Sequence, residues 1–297
     1  MNRLLQDLVA LLDLEPLEDN LFRGQSRDLG GKSVYGGQVI GQALVAAART
    51  VADGAPHSLH AYFLRPGDMA QPIVYEVDRI RDGRSFIARR VQALQHGAPI
   101  LSMIASFQKP EQGADEHQAP MPDVPPPEKL EFMHVLRKRW ADEATSVPPR
   151  ARESLTRELA IEFKSVNPWN PLKPERREPR QYVWFRAAGK LPESQLLHRC
   201  VLAYASDFNL LSTALIPHAR SYVHPGMIVA SIDHALWFHR DVRADDWLLY
   251  AMDSPSVQDS RGFSRGLVFQ RDGRLVASVA QENLMRYAPP REGGNAP

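Results

Sequence analysis

In the run VLAYASDFNLLSTAL, residues 201–215, one acid interrupts an otherwise apolar helical pattern. Residues three, four and seven positions from Asp207 are Cys200, Ala203, Tyr204, Leu210, Leu211 and Ala214. A continuous helix would therefore set this carboxylate on its buried stripe. Aspartate is almost never fully buried unless paired, and these neighbours supply no cation. Two more polar residues stand in apolar settings in the same half of the chain. Ser231 lies in MIVASIDHALWF, apolar at nearly every position as a central strand is. Gln281 lies in LVASVAQENLMR on the face of Leu275, Ala277 and Val279, where alternation expects another hydrophobe. Each has a structural explanation singly; three in one half of the chain need a joint reading.

Other motifs point to chemistry and fail on context. GFSRG, Gly262 to Gly266, matches G-x-S-x-G, but a nucleophilic Ser264 requires a helix after it and a later histidine. The following LVFQRDGRLVASVAQ reads as a hairpin, and no histidine follows His239. GGKS, Gly30 to Ser33, resembles the end of a phosphate loop, yet the earlier glycine of G-x-x-x-x-G-K-[ST] falls at Ser26. GGQVIG, Gly36 to Gly41, also misses G-x-G-x-x-G. It fits close helix-to-sheet contact, or a helix N-terminus whose amides, around Gly36 and Gly37, hold an oxyanion or phosphate. The ten histidines form no H-E-x-x-H and no set at ligand spacing, so no metal and no cofactor is expected.

The elements that must position these residues come in a duplicated order. AYFLRP followed by IVYEVDRIRDGRSFIARRVQALQHGAPILSMIASFQ reads like ALWFHR followed by WLLYAMDSPSVQDSRGFSRGLVFQRDGRLVASVAQENL. Phe63 aligns with Phe238, Phe86 with Phe263, Gly97 with Gly273 and Ser106 with Gln281, each about 175 to 177 residues on. In each unit a helical segment, Gly37 to Val51 or Gln195 to Leu215, precedes about four strand-like runs joined by turn signals such as Asp82-Gly83, His96-Gly97 and Asp272-Gly273. Further strand-like runs precede each helix: LFRGQSRD in the first unit, LAIEFKSV and QYVWFRAA in the second. One helix covered by an antiparallel sheet is an α+β layout. Exposed sheet edges are better paired than free, so the two units are expected side by side in one long sheet. The division is 1–110 for the first repeat, 111–155 for a Pro-rich linker with a short helix near Glu128 to Ala144, and 156–290 for the second repeat. At the positions of interest the repeats differ: Ser106 stands in Gln281's place, and GGQVIGQAL offers no acid.

Composition narrows the function classes. Lys plus Arg at 36 against Asp plus Glu at 35 gives a net charge of +1, which supports neither nucleic-acid binding nor attraction to an anionic membrane. The single cysteine, Cys200, permits no internal disulfide, which fits a reducing, cytoplasmic setting. The N-terminal MNRLLQDLVALLDLEP is apolar at helical spacing but carries Asp7, Asp13 and Glu15, and reads as a helix packed on the protein rather than a membrane insertion.

Several long stretches carry a resemblance. LFRGQSRDLGGKSVYGGQVIGQALVAAARTV, HSLHAYFLRPGD, RDGRSFIARRVQALQHG, ASFQKPE, AYASDFNLL and SIDHALWFHR resemble, in order and over nearly the whole chain, the acyl-CoA thioesterase II (TesB-like) family. That resemblance implies a double hotdog: two repeats, each a long helix wrapped by an antiparallel sheet, fused into one continuous sheet. It implies hydrolysis of fatty acyl-CoA to free acid and CoA, without metal or covalent intermediate. The family's Asp in YASD maps onto Asp207, its hydroxyl residue before IDH onto Ser231, and its Gln in the last strand onto Gln281, and the resemblance implies that this acid, hydroxyl and amide together hold the attacking water. Some relatives have Thr where this chain has Ser231. Gly36, Gly37, His57 and Tyr204 are expected to support substrate binding, the glycines through helix amides at the oxyanion and His57 as support rather than catalyst. The expected partner is the acyl-CoA substrate, its chain in an apolar channel beside the helix, and the protein is expected to be a homo-oligomer, dimer or tetramer. Two other readings remain: a hotdog hydratase or dehydratase, which places an Asp–His pair near the helix, and a non-catalytic acyl-CoA sensor.

Overall fold

Two stretches of near-continuous apolar helix and long runs of period-two alternation can bury their faces only against each other, and the computed structural model shows how. It describes residues 2–288 other than 112, 114, 146 and 225. The first repeat runs α1 (Arg3–Leu12), β1 (Glu15–Glu18), β2 (Leu21–Gly24), α2 (Gly36–Arg49), β3 (Ala55–Phe63), β4 (Ile73–Asp82), β5 (Phe86–Gln95) and β6 (Ala98–Gln108). A connecting segment carries a single 3-10 turn, Pro127–Lys129, then α3 (Met133–Glu143) and α4 (Pro149–Thr156). The second repeat runs β7 (Ile161–Ser165), β8 (Arg180–Ala187), α5 (Gln195–Ser206), α6 (Leu210–Leu215), β9 (Met227–Ser231), β10 (Asp233–Phe238), β11 (Leu248–Gln258), β12 (Arg261–Gln270) and β13 (Leu275–Tyr287). The expected end of that repeat at 290 lies outside the described residues.

The thirteen strands among the described residues form one sheet in the order β1-β2-β4-β5-β6-β3-β10-β13-β12-β11-β8-β7, with β9 beside β13. The repeats meet at the antiparallel pair β3 and β10, where His60 faces Ala235. These two residues are also equivalent under the sequence offset that relates Phe63 to Phe238. A pseudo-two-fold axis therefore passes between them. The fold is α+β with two repeats side by side in one sheet, as the duplication implied, and it is the double hotdog that the resemblance implied.

Inside the curve of the sheet, α2 is buried from Gly37 to Ala47 and α5 from His198 to Ser206. The two helices pack on each other closely enough that a Cβ on Gly37 would lie 2.2 Å from the carbonyl oxygen of Tyr204. Helix contact is thus one physical reason for glycine there. The apolar stretch Gln195–His218 is long enough to cross a bilayer, but most of it is buried in this core.

Three local expectations change. The segment Gln195 to Leu215 is not one helix: α5 stops at Ser206, Asn209 adopts a left-handed conformation (φ 70°), and α6 restarts at Leu210. The strand around Ser231 also breaks. Ser231 faces Asn283 while Ala235 faces Ala280, four steps on one strand against three on the other, so one extra residue is accommodated between β9 and β10. Finally, the linker expected over 111–155 holds a second helix: Pro149 to Ser154 form the start of α4, with Pro148 as its cap and Pro149 where the helix begins.

Candidate active site

The break in the second helix sets the site. Asp207 caps α5 (φ −77°, ψ −12°) instead of lying on a continuous buried stripe, and it is half-buried. Its carboxylate points across the molecule to the start of α2 in the other repeat, where Oδ2 accepts the Gly37 N–H at 2.9 Å. The N-cap of α2 is Tyr35, whose side chain makes no capping bond. Asp207 supplies the missing acceptor, and the positive end of α2 favours its negative charge. A Cβ on Gly36 would approach Asp207 Oδ2 to 2.7 Å, so the close seat of the carboxylate also depends on that glycine.

The other oxygen leads into a chain of hydrogen bonds. Ser231, at the end of β9, donates its hydroxyl to Asp207 Oδ1 at 3.2 Å. Gln281 on β13 donates from Nε2 to Ser231 Oγ at 3.0 Å and to Asn283 Oδ1 at 2.7 Å. Its Oε1 lies 2.5 Å from His234 Nδ1, and His234 Nε2 lies 2.9 Å from Ser206 Oγ. With both amide protons directed at oxygen acceptors, Oε1 must accept, so Nδ1 carries the ring proton and Nε2 is the acceptor nitrogen beside Ser206 Oγ, whose one proton is shared between it and the Ala203 carbonyl. Burial lowers the His234 pKa below 6.5, outweighing the opposite pulls of the Asp207 charge and the Gln281 bond, and the ring is neutral. Tyr35 and Tyr250 surround the same carboxylate. Burial first and the Asp207 charge second hold both phenols protonated. Tyr35 donates to the Tyr204 carbonyl at 3.0 Å and Tyr250 to the Ser206 carbonyl at 2.9 Å.

A cleft of about 660 Å³ opens onto this chain, and Asp207, Ser231 and Gly36 line it. Gln281, 1% exposed, and His234, fully buried, stand behind Ser231 and do not. Because Gln281 donates to Ser231 Oγ, the serine proton is turned toward Asp207. Ser231 keeps a lone pair, and the carboxylate keeps acceptor capacity, facing the cleft. A water placed there could donate to both. Gln281 reaches Ser231 Oγ and not the cleft, whereas the expectation had all three groups around one water.

The remaining sequence candidates separate. Gly37 holds Asp207 through its amide, while Tyr204 packs edge-on against Tyr35 and Phe208 beneath the cleft. His57 lies on β3, where Nε2 is 2.8 Å from Ser106 Oγ, and burial with the nearby Arg199 charge lowers its pKa. Neither Tyr204 nor His57 lines the cleft. Ser264 is fully buried on β12 and donates to the Leu210 carbonyl at 2.9 Å, a structural role. Among the described residues no group of three or more His, Cys, Asp or Glu is placed to hold a metal ion. Reading the sequence missed His234, Ser206 and Asn283. Asn283 carried a signal: it follows Gln281 by two, so β-alternation puts both amides on the inward face.

Comparison with known proteins places this chain among relatives. Residues 25–108 match the family described as the acyl-CoA thioesterase N-terminal domain, and residues 153–284 match acyl-CoA thioesterase. Acyl-CoA thioesterase 2 of Haemophilus influenzae is 41% identical, over 97% of this chain and the whole of that protein. The structure of an acyl-CoA thioesterase II, TesB2, from Mycobacterium marinum is 41% identical, with a TM-score of 0.76 over 95% of this chain and 99% of that one. A protein of unknown function with a hot dog fold from Alicyclobacillus acidocaldarius, 18% identical, matches with a TM-score of 0.75 over 95% of this chain and 98% of its own, a likeness of fold alone.

Proposed function

Because this chain belongs to the acyl-CoA thioesterase family and is a thioester hydrolase, we propose that Asp207 and Ser231 fix the attacking water and that Gln281 holds Ser231 in register. The observation that carries this reading is the hydrogen-bond chain from Gly37 through Asp207 and Ser231 to Gln281, open to a cleft at Asp207 and Ser231 only. A thioester carbonyl is electrophilic enough for a well-placed water to attack. The water oxygen bonds to the carbonyl carbon as Asp207 takes its proton. The carbon–sulfur bond then breaks, releasing CoA thiolate and the free acid. The first-turn amide of Gly36, at the cleft wall, is the candidate donor to the oxyanion, since the Gly37 amide is already held by Asp207.

A hydratase needs a histidine within reach of substrate. His234 belongs to the network but sits behind Gln281, fully buried, which favours hydrolysis. A cytoplasmic homo-oligomer remains part of the reading. Burial pushes the Cys200 thiol up to about 12, an inert thiol, and Tyr62 and Ile104 expose apolar surface on β3 and β6. Free-thiol release from acyl-CoA by the purified protein tests the activity. An enoyl-CoA hydrated without thiol release would replace hydrolysis by hydration, and binding without either product would leave a sensor. Sedimentation showing only monomer would remove the oligomer.

A further inference from the structure

The cleft reaches beyond the hydrolytic centre, and its charged lining is one-sided. Among the described residues Asp207 is the only acid that lines it, whereas Lys32, Arg65 and Arg137 are three cations. Each comes from a different part of the chain: Lys32 from the loop before α2, Arg65 from the turn after β3, and Arg137 from α3 in the connecting segment. Among the described residues no acid pairs with any of them. Arg65 donates only to the Pro99 carbonyl, at 2.8 Å. Elsewhere the surface neutralises its arginines routinely, as in Arg139 with Glu131 and Arg152 with Asp142 on the same segment.

The connecting segment is more than a spacer here. Met133, Arg137, Ser154 and Leu155 line the cleft from α3 and α4. Two arginines staple α4 to the Lys32 loop: Arg150 donates to the Gly31 carbonyl at 2.7 Å and Arg157 to the Asp28 carbonyl at 2.5 Å. Backbone contacts of this kind hold the Lys32 loop against the connecting segment without consuming the charge of Lys32 or Arg137.

We propose that Lys32, Arg65 and Arg137 form the mouth that binds the phosphates of the coenzyme A leaving group, with the connecting segment closing one side of it. The proposal rests on the thioesterase reading and adds to it the end of the cleft taken by the nucleotide. A diphosphate and a 3′-phosphate are the parts of such a substrate that demand cations, and guanidinium and ammonium groups left without acids are suited to them. GGKS fails as a phosphate loop, yet its lysine meets phosphate as a side chain at the cleft mouth.

The test uses one acyl chain on three carriers, CoA, 3′-dephospho-CoA and pantetheine, with the wild type and the combined Lys32→Gln, Arg65→Gln, Arg137→Gln variant. Folding is checked by thermal melts. The ratio of kcat/KM for acyl-CoA over acyl-pantetheine is expected to fall about tenfold or more in the variant, through KM and not kcat. Raising salt from about 50 to 300 mM is expected to weaken acyl-CoA use by the wild type and much less by the variant. Dephospho-CoA reports whether the 3′-phosphate or the diphosphate is held. Equal losses on acyl-CoA and acyl-pantetheine, or no loss on either, overturn the proposal. If the wild type releases no thiol from any carrier, the thioesterase reading fails instead. Calorimetry with free CoA then still decides the mouth: equal affinity of the wild type and the variant removes it.

Discussion

At the scale of single residues the site is a chain of donors with one direction. Gln281 turns the Ser231 proton toward Asp207, and Asp207 is left with capacity to take one more, from water. Asp207→Asn keeps the size but removes the proton acceptor. Its kcat is expected to fall roughly 100-fold with KM little changed, and a variant retaining more than about a third of kcat would remove the base from the mechanism. Ser231→Ala and Gln281→Ala should each impair kcat/KM, with the double variant little worse than the poorer single, because Gln281 acts through Ser231. Fully additive losses in ln kcat/KM would mean that the two act separately. Ser231→Thr, which keeps the hydroxyl, should remain active. Asp207, Ser231 and Gln281 were legible in the sequence because each breaks an apolar pattern. His234 was not: its own strand reads the same with a packed histidine or a working one, and its partners lie 47 and 28 residues away along the chain.

Elements set the distances between these residues. The close seat of α2 on α5 leaves no room for a methyl group at Gly37. Gly37→Ala must displace either the Tyr204 carbonyl or the start of α2, and is expected to cost about 1–3 kcal/mol by overpacking. Because the same amide holds Asp207, kcat should fall with it. A variant with wild-type melting and turnover would contradict this account. Ser264→Ala on β12, by contrast, loses only the bond to the Leu210 carbonyl. Turnover should be nearly intact, and a trapped acyl-enzyme in the wild type would reinstate a serine nucleophile. Hairpins with glycine were readable: His96 and Gly97 both have positive φ, as a two-residue turn between twisted strands requires. The turn at Asp259 and Ser260 has the same geometry without glycine, and the helix break at Asn209 depends on one left-handed residue. Neither leaves a mark in hydrophobic periodicity.

For the molecule as a whole, acid should act first through histidine. Burial is the main cause lowering the pKa of His57, His198, His218, His234 and His239 below 6.5. Between those lowered values and 6.5 the unfolded chain binds more protons than the folded one, so stability is full above 6.5 and declines as pH falls below it. The lowered carboxylates, Glu116 and Asp272 among them, contribute down to their ordinary range near 4 and are lost only below it. Melting temperature is therefore expected to drop between about pH 7 and pH 5, and a flat profile there would show that these rings gain no proton on unfolding. The single sheet and its two repeats were foreseeable because duplication and edge pairing are long-range regularities. The exchange of contacts across the dyad was not, since no local pattern says which repeat caps which helix. That exchange has a further consequence. An acid from one half is oriented by an amide of the other, so neither half holds a finished centre and turnover reports their docking. Cut within the connecting segment and produced as two chains, the protein should be silent in each piece and recover activity only when the pieces reassemble.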